Sequence, residues 1–133
     1  MQILFELDMN PRDLDTTLRT FWKGKATNRA SKSFTHELVR GTIAHLQEID
    51  ELIQTYAQNW DLKRMGRVDR NVMRMAIYEM LYCKKIPPVV SIDEAVEIAK
   101  AFGSEGSGRF VNGILDGIRK KLDRPAREPL QEA

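Results

Sequence analysis

Apolar positions recur along this chain at three- and four-residue steps almost throughout, and no stretch sustains the alternation of a half-buried strand. The pattern predicts an all-α protein of six to seven helices. Met1, Leu4, Phe5 and Leu7 give residues 1–8 a helical apolar face that opens with no N-cap and almost no first turn. Such an opening predicts an unusual start or a segment upstream. Asn10-Pro11 reads as an N-cap with proline at the first helical position, leading a second helix that turns Leu14, Leu18, Phe21 and Trp22 inward. Gly24 and small polar residues predict a loop over residues 23–32. The longest helix is then expected over residues 33–59, with Phe34, Leu38, Thr42, Leu46, Ile49, Leu52 or Ile53, and Tyr56 as its apolar spine. Trp60 and Leu62 follow as plugs for the end of a bundle.

A fourth helix is expected over residues 69–83, N-capped by Asp69 and burying Val72, Met73 or Met75, Ala76, Ile77 and Met80. Pro87-Pro88 must interrupt the helical run. Ser91 followed by Glu94 has the form of a capping box. It would open a helix that buries Ile92, Ala95, Val96, Ile98, Ala99 and Phe102 and stops at a left-handed Gly103. The last helix spans residues 107–122, with Phe110, Val111, Ile114, Leu115, Ile118 and Leu122 inward and with Gly113 and Gly117 admitting a close neighbour. Pro125 ends it, and residues 124–133 form a tail. One domain is expected over residues 1–133.

Composition narrows the class. Apolar residues at 42% and charged residues at 30% describe a soluble, folded chain. No apolar run approaches the roughly 18 residues of a membrane span, and the first eight residues are too few and too acidic for a signal peptide. A cytoplasmic protein is expected. The single cysteine, Cys83, excludes an internal disulfide and a cysteine-based zinc site. His36 and His45 lie nine apart on one predicted helix and do not converge on a metal. Asp93, Glu94 and Glu97 fall in the first turns of a predicted helix, where dipole and capping favour carboxylates without any catalytic role. Neither enzyme chemistry nor a metal or cofactor is expected.

Net charge is only +2, but its distribution is uneven. Lys63, Arg64, Arg67, Arg70 and Arg74 follow one another with Asp69 as the only acid among them. A second basic group comprises Arg109, Arg119, Lys120, Lys121, Arg124 and Arg127. Such series are either solvated helix faces or tracks for a nucleic-acid backbone, and spacing does not decide between them. The glycine-rich turn over residues 103–108 follows a helix rather than a strand and lacks Gly-Lys-Ser/Thr, so it is not a nucleotide loop. Arg109 and Phe110 follow it directly. Ion pairing to phosphate and stacking on a ring are the simplest contacts to single-stranded RNA. By spacing alone, Phe110 remains equally a core residue.

One long segment carries a resemblance. Trp60-Asp61-Leu62-Lys63-Arg64-Met65-Gly66-Arg67-Val68-Asp69-Arg70-Asn71-Val72-Met73-Arg74-Met75-Ala76-Ile77-Tyr78-Glu79-Met80 resembles the central signature of the NusB transcription antitermination family. The likeness continues through Ile86-Pro87-Pro88, Ser91-Ile92-Asp93-Glu94-Ala95-Val96-Glu97-Ile98-Ala99-Lys100, Phe102-Gly103 and Arg109-Phe110-Val111-Asn112-Gly113-Ile114-Leu115-Asp116.

The resemblance implies two small helical bundles packed together, here about residues 1–59 and 60–123. It also implies a non-enzymatic role: such proteins pair with NusE, a small-subunit ribosomal protein, and bind single-stranded boxA RNA. The pair loads an antitermination complex on RNA polymerase, notably during ribosomal RNA synthesis. By position, Arg109, Phe110 and Asn112 are the implied RNA contacts, with Tyr56, Asp69, Arg67 and Arg70 at further positions near RNA. Tyr78 and Glu79 fall on the implied partner-binding face. Family members usually begin with an arginine-rich segment, whereas this sequence opens several residues into the matching helix. Alternative readings are a protein-interaction bundle and a recognition domain related to ribosomal RNA methyltransferases; a homodimer also stays open.

Overall fold

A computed structural model describes residues 29–57 and 65–122. The expectations for residues 1–28, for the side chains of Phe34 and His36, for residues 58–64 and for the tail lie outside the described residues. Within them are five helices and no strand: α1 (Arg29–Ala44), α2 (Leu46–Tyr56), α3 (Arg67–Tyr82), α4 (Pro88–Phe102) and α5 (Ser107–Lys121). Helix α3 packs against each of the other four, and α4 and α5 form an antiparallel pair joined by the turn over residues 103–106. A helix surrounded in this way must be apolar over much of its circumference. Val72, Met73, Ala76, Ile77 and Met80 are accordingly buried. Ile49 and Ile53 of α2, Ala99 of α4, and Val111, Leu115 and Ile118 of α5 complete a continuous core.

The expected spine is two helices rather than one. His45 separates them with φ −112° and ψ 20°, yet its N–H still donates to the Gly41 carbonyl at 3.1 Å. The Ile49 N–H donates to the His45 carbonyl at 3.0 Å, so the helix is kinked rather than broken. Thr42 Oγ1 donates back to the Leu38 carbonyl at 2.6 Å, a local bond that bends helices. The His45 ring stacks on Tyr82 at 4.2 Å, and Tyr82 Oη donates to Glu48 at 2.8 Å. These contacts from α3 hold the bend. The expected loop over residues 23–32 also ends early, because α1 already includes Arg29.

Several local expectations are corrected. Gly66, not Asp69, is the N-cap of α3, so Asp69 is its third residue and makes no capping bond. The helical run does break before Pro88, as expected, between Tyr82 and the start of α4, and Pro88 itself opens α4, since its fixed φ suits the first helical position. Ser91 therefore lies inside α4, buried, and forms no capping box. Gly103 is extended at φ −89°, ψ −166° and is glycine for another reason: a Cβ there would lie 2.5 Å from Ser107 Oγ and 2.6 Å from the Ala99 carbonyl. Phe102 is not buried but 73% exposed, because the chain turns into α5 immediately beyond it. Of the two glycines expected to admit a neighbour, Gly117 receives the Tyr56 ring, whereas Gly113 faces open space.

Arg74 is not part of a basic track. Its Nε and Nη2 donate to Asp50 Oδ1 and Oδ2, both at 2.8 Å, and its Nη1 donates to Asn71 Oδ1 at 3.1 Å. This fork locks α3 to α2.

Candidate nucleic-acid interface

The turn between α4 and α5 is built by its own short polar residues. The Ser104 N–H donates to Ser107 Oγ at 2.9 Å, and the Ser107 N–H returns to the Ser104 carbonyl at 3.0 Å. Gly106 then adopts φ 86°, the left-handed region, and its carbonyl accepts from the Phe110 N–H at 3.0 Å, starting α5. A Cβ on Gly106 would meet nothing within 4 Å, so only the backbone resists a larger residue. Gly106→Ala should therefore destabilise the fold by about 1 kcal/mol in urea unfolding. No measurable loss would mean that the turn relaxes freely.

Two clefts meet at this turn. One, of about 300 Å³, is lined by Met65, Gly66 and Asp69 at the start of α3 and by Ser104, Glu105, Gly106, Ser107 and Phe110. The other, of about 610 Å³, is lined by Val96 and Lys100 of α4 and by Glu105, Gly106, Gly108, Arg109 and Asn112. The Glu105-Gly106 peptide belongs to both walls. Arg109 and Asn112 are exposed, while Phe110 packs partly against the core and partly faces the first cleft. The two readings of Phe110 are thus combined in one ring. Gly106 keeps the turn open; Gly108 does not, because the stem of Lys100 covers it, with Cγ 2.8 Å from where a Cβ would be.

The arrangement offers complementary chemistry on the two sides. Arg109 and Lys100 supply cations suited to phosphate, and Asn112 adds an amide that both donates and accepts. The Phe110 face is a stacking surface. Asp69 is 9% exposed, and a carboxylate there repels phosphate but accepts from the amino group of a base.

The remaining candidate residues are dispersed. Arg67 is exposed as the first residue of α3, whereas Arg70 is buried, so with Arg74 held by Asp50 no continuous cationic stripe runs along α3. Tyr56 lines a third cleft with Leu52, Leu81, Ile118 and Lys121. Its contact at Gly117 is two turns along α5 from Phe110, about 10 Å. Farther along α5, Arg119 and Lys120 engage Asp116 at 2.8 Å and 3.3 Å and hold its carboxyl below the usual range. Tyr78 is buried with its ring against Gly41 and 5.3 Å from Tyr82, and burial raises its hydroxyl pKa. Glu79 is 8% exposed; burial first, and the nearby Glu94 carboxylate second, push its pKa up to about 7.

Lys100 and Ser104 were not singled out from the sequence. The signal was present: a turn of four residues forces the last turn of α4 beside the first turn of α5. No cluster of three metal-ligating side chains occurs among the described residues, and no helix there is long and apolar enough to cross a membrane.

The family model described as "NusB family" matches residues 1–120. A transcription antitermination protein NusB from Desulfitobacterium hafniense (strain DSM 10664 / DCB-2) is 42% identical over 126 residues, covering 93% of this chain and 85% of that protein. A solved NusB structure from T. maritima superposes with a TM-score of 0.83 at 41% identity, covering 94% of this chain and 86% of that one. A crystal structure of antitermination factors NusB and NusE in complex with dsRNA includes a chain that superposes with a TM-score of 0.82 at 26% identity, covering 90% and 89%.

Proposed function

The chain belongs to the NusB family and is not an enzyme, and from that premise we propose that it binds RNA and pairs with NusE as a transcription antitermination factor. Its RNA is a boxA-type single strand, and the pair loads an antitermination complex on RNA polymerase in the cytoplasm, notably during ribosomal RNA synthesis. The observation that carries this reading is the pair of clefts meeting at Gly106, with Arg109 and Asn112 on one side and Phe110 and Asp69 on the other. A strand crossing the open turn meets Arg109 and Lys100 with its phosphates. It lays a base on Phe110 and offers that base's amino group to Asp69. Arg67, at the start of α3, extends the cationic rim; Arg70 supports the surface from inside, and Tyr56, at the end of α2, lies against α5 at Gly117. The solved NusB–NusE–dsRNA assembly supports NusE and RNA as the ligand classes.

The test is a titration of boxA-like RNA with and without NusE at two salt concentrations. Binding is expected to tighten with NusE and to weaken with salt, and replacing Arg109 with Gln should shallow the log–log salt slope by about 0.7. Phe110→Ala should cost about 1–2 kcal/mol of RNA affinity, the lower part of the stacking range because the ring is already partly packed against the core. Absence of RNA binding under every condition overturns the reading.

A further inference from the structure

Away from the turn, α3 and α4 enclose a narrow notch of about 40 Å³. Its sides are Val72, Met75, Ala76, Ala95 and Ile98, all apolar, and its polar groups are Glu79, Glu94 and Ser91. Ser91 is 1% exposed, and its Oγ is buried with no hydrogen-bond partner. Among the described residues no cation pairs with Glu79 or Glu94. An unmatched buried hydroxyl and an unpaired, nearly buried carboxylate each cost stability, so a chain that keeps both is set up for something that satisfies both.

The shape and the charge together specify what fits. Two carboxylates repel phosphate, so the occupant is not RNA. A free metal ion makes no use of apolar walls. A lysine side chain uses every part of the notch, since its methylene stem packs on apolar surface while its ammonium seeks acceptors. The volume admits an ammonium, a compact point charge about the size of the water molecule that roughly 10–15 Å³ suffices to hold, with its stem lying along the apolar walls. We propose that this notch receives a lysine side chain of the protein partner, with the ammonium held by Glu79, Glu94 and the Ser91 hydroxyl. The proposal rests on the reading that the chain pairs with another polypeptide, and it gives Glu79 a specific role on that face.

The probe is NusE, titrated against the full chain and against Glu79→Gln and Ser91→Ala, followed by carbodiimide coupling and mass spectrometry of the wild-type complex. Glu79→Gln should weaken NusE binding by about thirtyfold or more, the effect of removing one member of a buried charge pair. Ser91→Ala should weaken it less, and an amide bond between Glu79 and a NusE lysine should form in the wild-type complex. Loss of fold does not explain such a result, because the glutamine variant keeps the shape and loses the buried charge. If NusE binds the wild-type chain and Glu79→Gln equally, the notch holds only water and the proposal falls while the pairing stands. If NusE does not bind the wild-type chain, the pairing itself fails and takes the notch with it.

Discussion

Asp50→Ala is expected to unfold at a much lower urea concentration than the parent chain, with a loss of about 3 kcal/mol. Exposed ion pairs contribute little, because water and salt screen them and two long side chains must be ordered. The Asp50–Arg74 pair differs in two respects: its side chains are only 22% and 11% exposed, and both carboxylate oxygens are engaged at 2.8 Å. Removing Asp50 leaves a guanidinium largely shielded from water and stripped of both carboxylate bonds, while its Nη1 keeps the bond to Asn71 Oδ1 at 3.1 Å. It also releases α2 from the helix at the centre of the fold. Asp50→Asn should lose less, since one oxygen still accepts. Equilibrium unfolding at neutral pH gives the comparison, and a loss under about 1 kcal/mol would show that solvent already reaches the pair.

Glu79→Gln should do the opposite at alkaline pH and stabilise the fold by about 2 kcal/mol. The folded pKa of Glu79 is about 7 against an ordinary 4.5. Between those values the folded chain holds a proton that the unfolded chain has released. Its contribution to stability is therefore full below 4.5, declines as pH rises towards 7, and stays unfavourable above. Glutamine imitates the protonated acid at every pH. The two proteins should match in urea unfolding at pH 4 and diverge through pH 6 to a constant gap by pH 8. A gap that is already present at pH 4 would assign the effect to packing instead. Coupled with the weaker NusE binding expected of the same variant, the result would show a charge kept for recognition at the expense of stability.

The sequence made some of this architecture legible and hid the rest for identifiable reasons. The stripes of α3 and α5 were readable because burial follows the helical period, and Val72, Ile77, Val111, Leu115 and Ile118 all lie inside as expected. The kink at His45 was not, because the apolar positions on either side stay in phase and the bend is held by Tyr78 and Tyr82 from another helix. Capping rules misplaced two starts: Gly66 and Pro87 act as N-caps three and four residues ahead of the side chains whose chemistry suggested caps. Adjacency in sequence revealed Arg109 with Phe110. Their neighbours Asp69 and Lys100 come from other helices, so only the fold brings them in. The arginine series was undecidable in one dimension, since the partner that takes Arg74 out of it lies 24 residues upstream.

Helix α3 carries Asp69 near one end and Glu79 near the other. Ten residues of helix separate them by about 15 Å along the axis and about 80° around it. A nucleic acid held at the first and a polypeptide held at the second would lie side by side on one rigid rod, neither blocking the other. Each would then raise the local concentration of the other, so that even a weak direct touch between transcript and polypeptide would strengthen the whole assembly without any change of shape in the protein that carries them.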